Sequence, residues 1–489
     1  MTTIEAPPAV ALPERFLRVD RVHVIAACAV ALVSFGQAWW RWSTWRNGFG
    51  DMPVIAQVSL LLAHGKEPVI SGLGWNAFAD HLAPIYLVFG ALYRVHETVG
   101  WVFAAEAIAF GVSVLALPAL LDALGVTGRA KTMFQIAFAL SPLMWNAVAF
   151  AGHPTTMAVP VLIVGLTAAL RGRVGSTAVA VLALLVFRDD LGIAAAAIAL
   201  IGLAHDPERR WTRWGGVAAF AIGWEVLGGL LATHVGVDRL WLQRFSYLGA
   251  TPHDALLHPW SSVPALIGEI TSTAQITQIV FWLASVAFLP LLAPRRLLVV
   301  LVVGMPILAA HDPTVQSVHF HHGAVLVPFL LWAAAGGLVR WRSLAGSDFP
   351  VGALPILAGA LLVISGPFAA GDFDHSAVTR RDGAAVLARL TTHDRLLADP
   401  AIGIHAADRE MAVTYPYPFQ TSCGGAPVVN GVRNSVIWPT SEIDTIAVLA
   451  PRTDAERAQL DAVVKSPCFA DLGPPEQIGN VLLYRRVAG

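Results

Sequence analysis

Cysteine is almost missing from this chain: Cys28, Cys423 and Cys468 are all there are in 489 residues, and no two stand at a zinc-ligand spacing. That excludes a disulfide-dense or metal-stapled scaffold. Charge is scarce as well. Asp, Glu, Lys and Arg supply 13% of the residues, the net charge is −1, and lysine occurs only as Lys66, Lys131 and Lys465. No basic field of the kind that binds nucleic acid can be assembled from this, and there is no glycine-rich phosphate loop. What the chain has instead is apolar length, with 56% hydrophobic residues gathered in runs long enough to cross a bilayer. The composition is that of a polytopic membrane protein.

The polar stretch 1–21 precedes a first apolar run at 22–40, which lacks a small-residue cleavage site and ends in Trp39 and Trp40. It reads as a retained span rather than a signal peptide. Further runs of spanning length lie at about 99–121, 132–151, 154–170, 214–233, 275–293, 297–310, 321–338 and 350–370. The run 174–204 differs, because it carries Arg188, Asp189 and Asp190 at its centre. As one helix its roughly 31 residues would reach ~46 Å, beyond a hydrocarbon core of about 30 Å, with three charges at mid-membrane. Arg171 and Arg173 flank it on one side, Arg209, Arg210 and Arg213 on the other. The positive-inside rule puts both flanks in the cytoplasm, so the run must cross twice and the charged trio becomes the turn.

The same rule, applied to Arg15, Arg18 and Arg21, to Arg129 and Lys131, to Arg295 and Arg296, and to Arg340 and Arg342, fits one arrangement. The chain is expected in the cytoplasmic membrane with its N-terminus in the cytoplasm, about eleven spans following and its C-terminus outside. The expected organisation is a cytoplasmic tail (1–21), an all-α transmembrane domain (22–370) with an outer loop at 41–98, and an extracytoplasmic soluble α/β domain (371–489).

On this topology most of the unusual polar residues fall on the outer side. The first outer loop holds Asp51, Gln57, Asn76, Asp80 and His81; His153-Pro154 marks the next outer turn; the stretch HDPTVQSVHFHHG brings His311, Asp312, His319, His321 and His322. Halves of the divided run reach only ~22 Å, which leaves Arg188, Asp189 and Asp190 slightly below the outer surface. The apolar stretch 82–93 is too short to span and is expected along the outer interface. Each polar residue also has a plainer reading. Asp51 before a proline suits a turn or helix cap, His153-Pro154 suits a turn, and Arg188 with its aspartates suits a capped hairpin. The histidine group has no H-E-x-x-H pattern, so a divalent metal is left open. Convergence of five separated segments on one face favours a site over independent turns.

After residue 370 the composition is that of a soluble domain. Short apolar strands (RLLAD, MAVTY, TIAVLA, VLLYRR) alternate with helical stretches at 381–390 and 454–465, which predicts a small α/β layer. Cys423 and Cys468 both lie in it, and an outer compartment permits a disulfide between them. The segment TYPYPF (414–419) reads as a packed loop.

The order Asp51, Asp80-His81, LSPLMWNAVAFAGHP, FRDDLG, VHFHHGAVLVPFLLWAA and ADPAIGIHAADREMAVTYPYP resembles the bacterial membrane family called domain of unknown function 2079, over about residues 45–485. That family is similar in fold to the C-type glycosyltransferase superfamily (GT-C), whose members take a sugar from a polyprenyl-phosphate donor at the outer membrane face. The resemblance implies an acidic general base in the first outer loop, where Asp51 stands. Arg188, with Arg94 or a histidine, would then stabilise the departing phosphate. Asp80, His81, His153, Asp189, Asp190, His321 and His322 would bind substrate, and a divalent metal could assist. The implied partners are the bilayer, a lipid-linked sugar and a cell-envelope acceptor. Two other classes compete: a transporter or flippase for a lipid-linked or polar solute, which should show polar residues at mid-membrane or a repeated half, and a cell-envelope assembly protein.

The topology is checked by single cysteines in a cysteine-free background. Residues placed at Gly192 and Ser466 should react with an impermeant thiol reagent in cells stripped of outer barriers, and one at Gly172 should not. The reverse pattern would turn the protein over.

Overall fold

The computed structural model describes residues 21–46, 51–71, 75–234, 241, 244–367, 378–391, 393–406, 409, 412–414, 428–429, 432–433, 443–466, 469 and 471–487. Among the described residues, five helices are long and apolar enough to cross a membrane: Arg21–Ser43, Gly100–Ala123, Gly128–Phe150, Trp211–Ala232 and His321–Ala345. Shorter apolar helices include Met52–Ala63, Ile85–Val95, Val159–Leu170, Val174–Phe187 and Ala353–Ser365. Large apolar side chains such as Leu182, Leu230, Ile356 and Val363 point outward, while alanines at 194–199 pack inward. This is the pattern of helices whose solvent is lipid and whose contacts need small residues.

Proline and glycine cut several of the runs. Pro142 opens the helix Pro142–Phe150 inside the 128–150 span, and Gly304 separates Pro294–Val303 from Met305–Leu308. Proline has no amide hydrogen and is best accommodated where a helix begins. Each cut leaves carbonyls that lipid cannot satisfy, so other side chains must. Gln275 Nε2 donates to the carbonyls of Ile307 (3.2 Å) and Ala310 (3.3 Å), Gln278 Nε2 to Val315 (3.2 Å), and Asn146 Nδ2 to Val318 (2.9 Å). Irregular backbone at 309–320 is thereby held where the histidines are needed. The run 174–204 is divided as well, into Val174–Phe187 and Gly192–His205, with a tight turn at Asp189–Leu191.

The C-terminal region forms a five-stranded sheet in the order 412–414, 396–398, 445–449, 481–485, 476–478. The first three strands are mutually parallel, and 481–485 runs antiparallel to both of its neighbours, 445–449 and 476–478. Strand Leu396–Ala398 is buried throughout, as a central parallel strand should be. Helices Arg380–Leu387 and Asp454–Val464 accompany the sheet. All four strands and both helices expected there are present, and the edge strand Glu476–Ile478, which alternation did not reveal, completes it. Cys423 and Cys468, the boundary at 370/371 and most of TYPYPF lie outside the described residues.

The sheet docks on the end of the first helix. His405 stacks on Trp45 at 3.8 Å between ring centroids and 22° between planes, with Trp42 at 4.0 Å on the imidazole. Trp45 itself is buried and belongs to the core formed by Val378, Val386, Leu396 and Ile402. Trp45→Ala should therefore cost the tail about 3–5 kcal/mol. The measurement is amide exchange: strands 396–398 and 445–449 should lose protection while helix 100–123 keeps it.

Candidate functional site

Asp51 occupies the N-cap position of helix Met52–Ala63 yet makes no side-chain cap bond. Its carboxylate instead lies 3.1 Å from His153 Nε2. His153 does cap its own short helix: Nδ1 accepts the Thr155 amide at 3.2 Å, and Nε2 is turned toward Asp51. The two meet because the chain between residues 150 and 154 turns sharply, with Ala151 at φ 57° and Gly152 at φ 84°. A Cβ at Gly152 would stand 2.5 Å from the Met52 Cα, so only glycine allows this approach. Beneath the turn, Glu106 of helix Gly100–Ala123 accepts the amides of Gly152 (2.8 Å) and His153 (2.9 Å), one on each oxygen.

Arg188 joins that pair to the rest. Its Nη1 lies against His153 Nε2, and its Nη2 reaches His81 Nε2 (2.6 Å) and Asp190 Oδ2 (2.6 Å). His81 Nδ1 in turn sits 3.1 Å from Asp189 Oδ1. A ring that donates from Nδ1 presents Nε2 as an acceptor, so carboxylate, imidazole and guanidinium fix one another's orientation. Asp80 stands 4.0 Å from His81. Helix Trp211–His234 closes over this turn: Gly228 leaves no room for a Cβ beside Asp189 Oδ2, at 2.0 Å. From the same helix, Glu225 accepts the Ile193 amide at 2.8 Å. His321 stacks on His153 at 3.3 Å and 15°, with His322 4.0 Å further on.

The cluster forms one wall of an open cleft of about 650 Å³. Its polar side includes His153, Arg188, Asp190, Glu225, Arg244, His321 and His322; its apolar side includes Val303, Pro306, Ile307 and Val325. Arg244 Nε is 3.9 Å from Asp312 Oδ2. Asp51 does not line this cleft. It reaches His153 while keeping 40% of its side-chain surface exposed. The surrounding protein still thins the water about it, and burial lifts its pKa to about 6; Asp80 pushes the same way and Arg188 opposes.

All nine residues named as catalytic or substrate-binding thus stand in one cluster, drawn from the five expected segments. Others of the outer set do not. Arg94 is a correction: its guanidinium donates to the Ala63 carbonyl at 3.1 Å on an exposed face, and Arg244 is the second arginine of the cleft. His311 is exposed and pairs with Glu269 at 2.7 Å, Gln57 bonds Ser71, and Asn76 caps its own turn. Two residues were missed that a signal could have found: Glu106 and Glu225 are acidic residues inside apolar spans. Arg244 carried no such signal. Among the described residues, two donor sets have ligand atoms within 4.8 Å of one another, Asp51/His153/His321 and His81/Asp189/Asp190. In both, the positive charge that the donors face is Arg188, which touches His153, His81 and Asp190.

Arg188→Gln removes that charge and leaves carboxylates uncompensated in a poorly solvated place, for an expected loss of about 3–5 kcal/mol. Arg188→Lys, a point charge without the fork, should recover only part of it. Thermal unfolding in detergent measures both, and a Gln variant of full stability would show the cluster is held otherwise.

Residues 51–365 match a family model described as "Predicted membrane protein (DUF2079)". The match ends before the C-terminal sheet. Among curated proteins, none matches. Among solved structures, the crystal structure of ArnT from Cupriavidus metallidurans bound to undecaprenyl phosphate is similar, with a TM-score of 0.51 at 11% identity, covering 95% of this chain and 98% of that one. At that identity the likeness is one of fold alone, and it supports the GT-C-like fold that the sequence resemblance implies.

Proposed function

We propose that this chain, which belongs to the DUF2079 family of predicted membrane proteins, is a membrane glycosyltransferase using a polyprenyl-phosphate-linked sugar at the outer face of the membrane. The observation that carries the reading is the junction of Asp51, His153 and Arg188: a carboxylate of raised pKa and a fixed guanidinium that meet at one imidazole nitrogen, His153 Nε2. The similar fold of a protein that binds undecaprenyl phosphate supports the same substrate class. The cleft offers a polar wall with two arginines beside an apolar wall, which suits a phosphate carried on a long hydrocarbon chain.

In the proposed reaction the acceptor hydroxyl oxygen bonds to the anomeric carbon, and the bond from that carbon to the phosphate oxygen breaks. Asp51 takes the hydroxyl proton. The lipid phosphate leaves with the bonding pair, and Arg188 and Arg244 stabilise the charge that accumulates on it. His153 orients the base, and Asp189 and Asp190 hold His81 and Arg188 in place. Because Asp51 is outside the cleft wall, acceptor and donor would reach the His153–Arg188 pair from different sides. The C-terminal sheet is proposed as an acceptor-recognition domain.

Purified protein with a polyprenyl-phosphate sugar tests this. Asp51→Asn keeps shape but cannot take a proton, so kcat should fall roughly 10²–10⁴-fold with donor binding little changed. The base works ionised, so wild-type turnover should decline as pH falls through about 6, the pKa of Asp51. Arg244→Gln should instead raise donor KM. Full turnover by Asp51→Asn would remove the base, and no turnover of any such donor, with vesicle transport of a lipid-linked solute, would favour a flippase.

A further inference from the structure

Glu106 has no part in the reaction as written, yet it is a carboxylate only 1% exposed inside an apolar span. We propose that Glu106 is the positioning residue of the Asp51–His153 pair, a two-oxygen anchor that sets where the base meets its imidazole. The backbone dictates the need for it. Positive φ at Ala151 and Gly152 turns the chain out of helix Pro142–Phe150 and back into Pro154–Met157, and the amides of 152 and 153 lose any helical carbonyl. At membrane depth an open N–H is costly, and no water is assured.

Glu106 gives each amide its own oxygen, at 2.8 and 2.9 Å. A carboxylate is the side chain that offers two acceptor atoms and no donor. Its helix, Gly100–Ala123, is a long and well-packed element, so the turn is referred to a fixed frame. What raises this above a buried turn anchor is which residue is anchored. His153 is held at its amide by Glu106 while its ring meets Asp51 at 3.1 Å, and Gly152 packs on the backbone of Met52, the residue after Asp51. A shift of the turn moves both members of the pair. The turnover arm of the test rests on the function proposed above; the geometric arms do not.

Glu106→Gln keeps the length but turns one acceptor into a donor facing an N–H. Its kcat should fall roughly 10–100-fold, as for partners that orient a site ligand, with donor KM within about twofold of wild type. Independently, His153 should react several-fold faster with diethyl pyrocarbonate, read by mass spectrometry of the 150–158 peptide. The proposal is overturned if kcat per folded molecule and His153 reactivity both stay at wild-type values. Where Glu106→Gln does not fold, exchange of the wild-type Gly152 and His153 amides decides: protection equal to helix 100–123 supports the anchor, and exchange at open-loop rates overturns it. If wild type transfers no sugar at all, the function fails while the reactivity and exchange results still judge the anchor.

Discussion

A guanidinium in a place with little water must be surrounded by its own protein, and Arg188 imposes that requirement on the structure. Its contacts come from the segment after the first helix through His81, from the turn at His153 and from its neighbour Asp190. Each partner needs support of its own. Asp189 braces His81, helix 211–234 closes over Asp189 with a glycine at the contact, and Glu225 holds the chain that leaves the turn. The divided span, the short loop helix and the glycine at 228 are thus one solution to a single electrostatic problem. The price is specificity of shape.

The fold was legible where the physics is periodic and one-dimensional. Apolar length marked the helices, arginine flanks marked the division of 174–204, and alternating strands marked the C-terminal sheet. Asp51, His81, His153, Arg188 and His321 were legible as ionisable groups in unusual company. Sequence could not say that Asp51 would forgo its cap for His153, because that choice is made by the φ values of Ala151 and Gly152 a hundred residues later. Arg244 was illegible for a similar reason: nothing local distinguishes it from Arg94, and only packing puts one in the cleft and the other on the surface. The glutamates were visible and overlooked, since a helix can be read for its length without asking what the acidic residue along it does.

The polar side chains in the spans serve a second end. Gln275 and Gln278 hold the carbonyls of a broken segment, so the loop that delivers His321 and His322 is fixed from behind by a neighbouring helix. The cleft is therefore bounded by backbone that is irregular and yet well satisfied, the combination that lets a protein place functional groups at membrane depth.

The seat of the C-terminal sheet on Trp42 and Trp45 has a consequence in time. Arg41 donates to the carbonyl of Pro367, 326 residues on, and Gln57 to that of Arg409, 352 residues on. At a synthesis rate of about 5–20 residues per second, the first helix waits roughly 20–70 s for the partners that cover it. During that interval Trp45 lies bare, a marker of an unfinished chain, and it disappears only when the late-made domain has folded and closed on the early-made one.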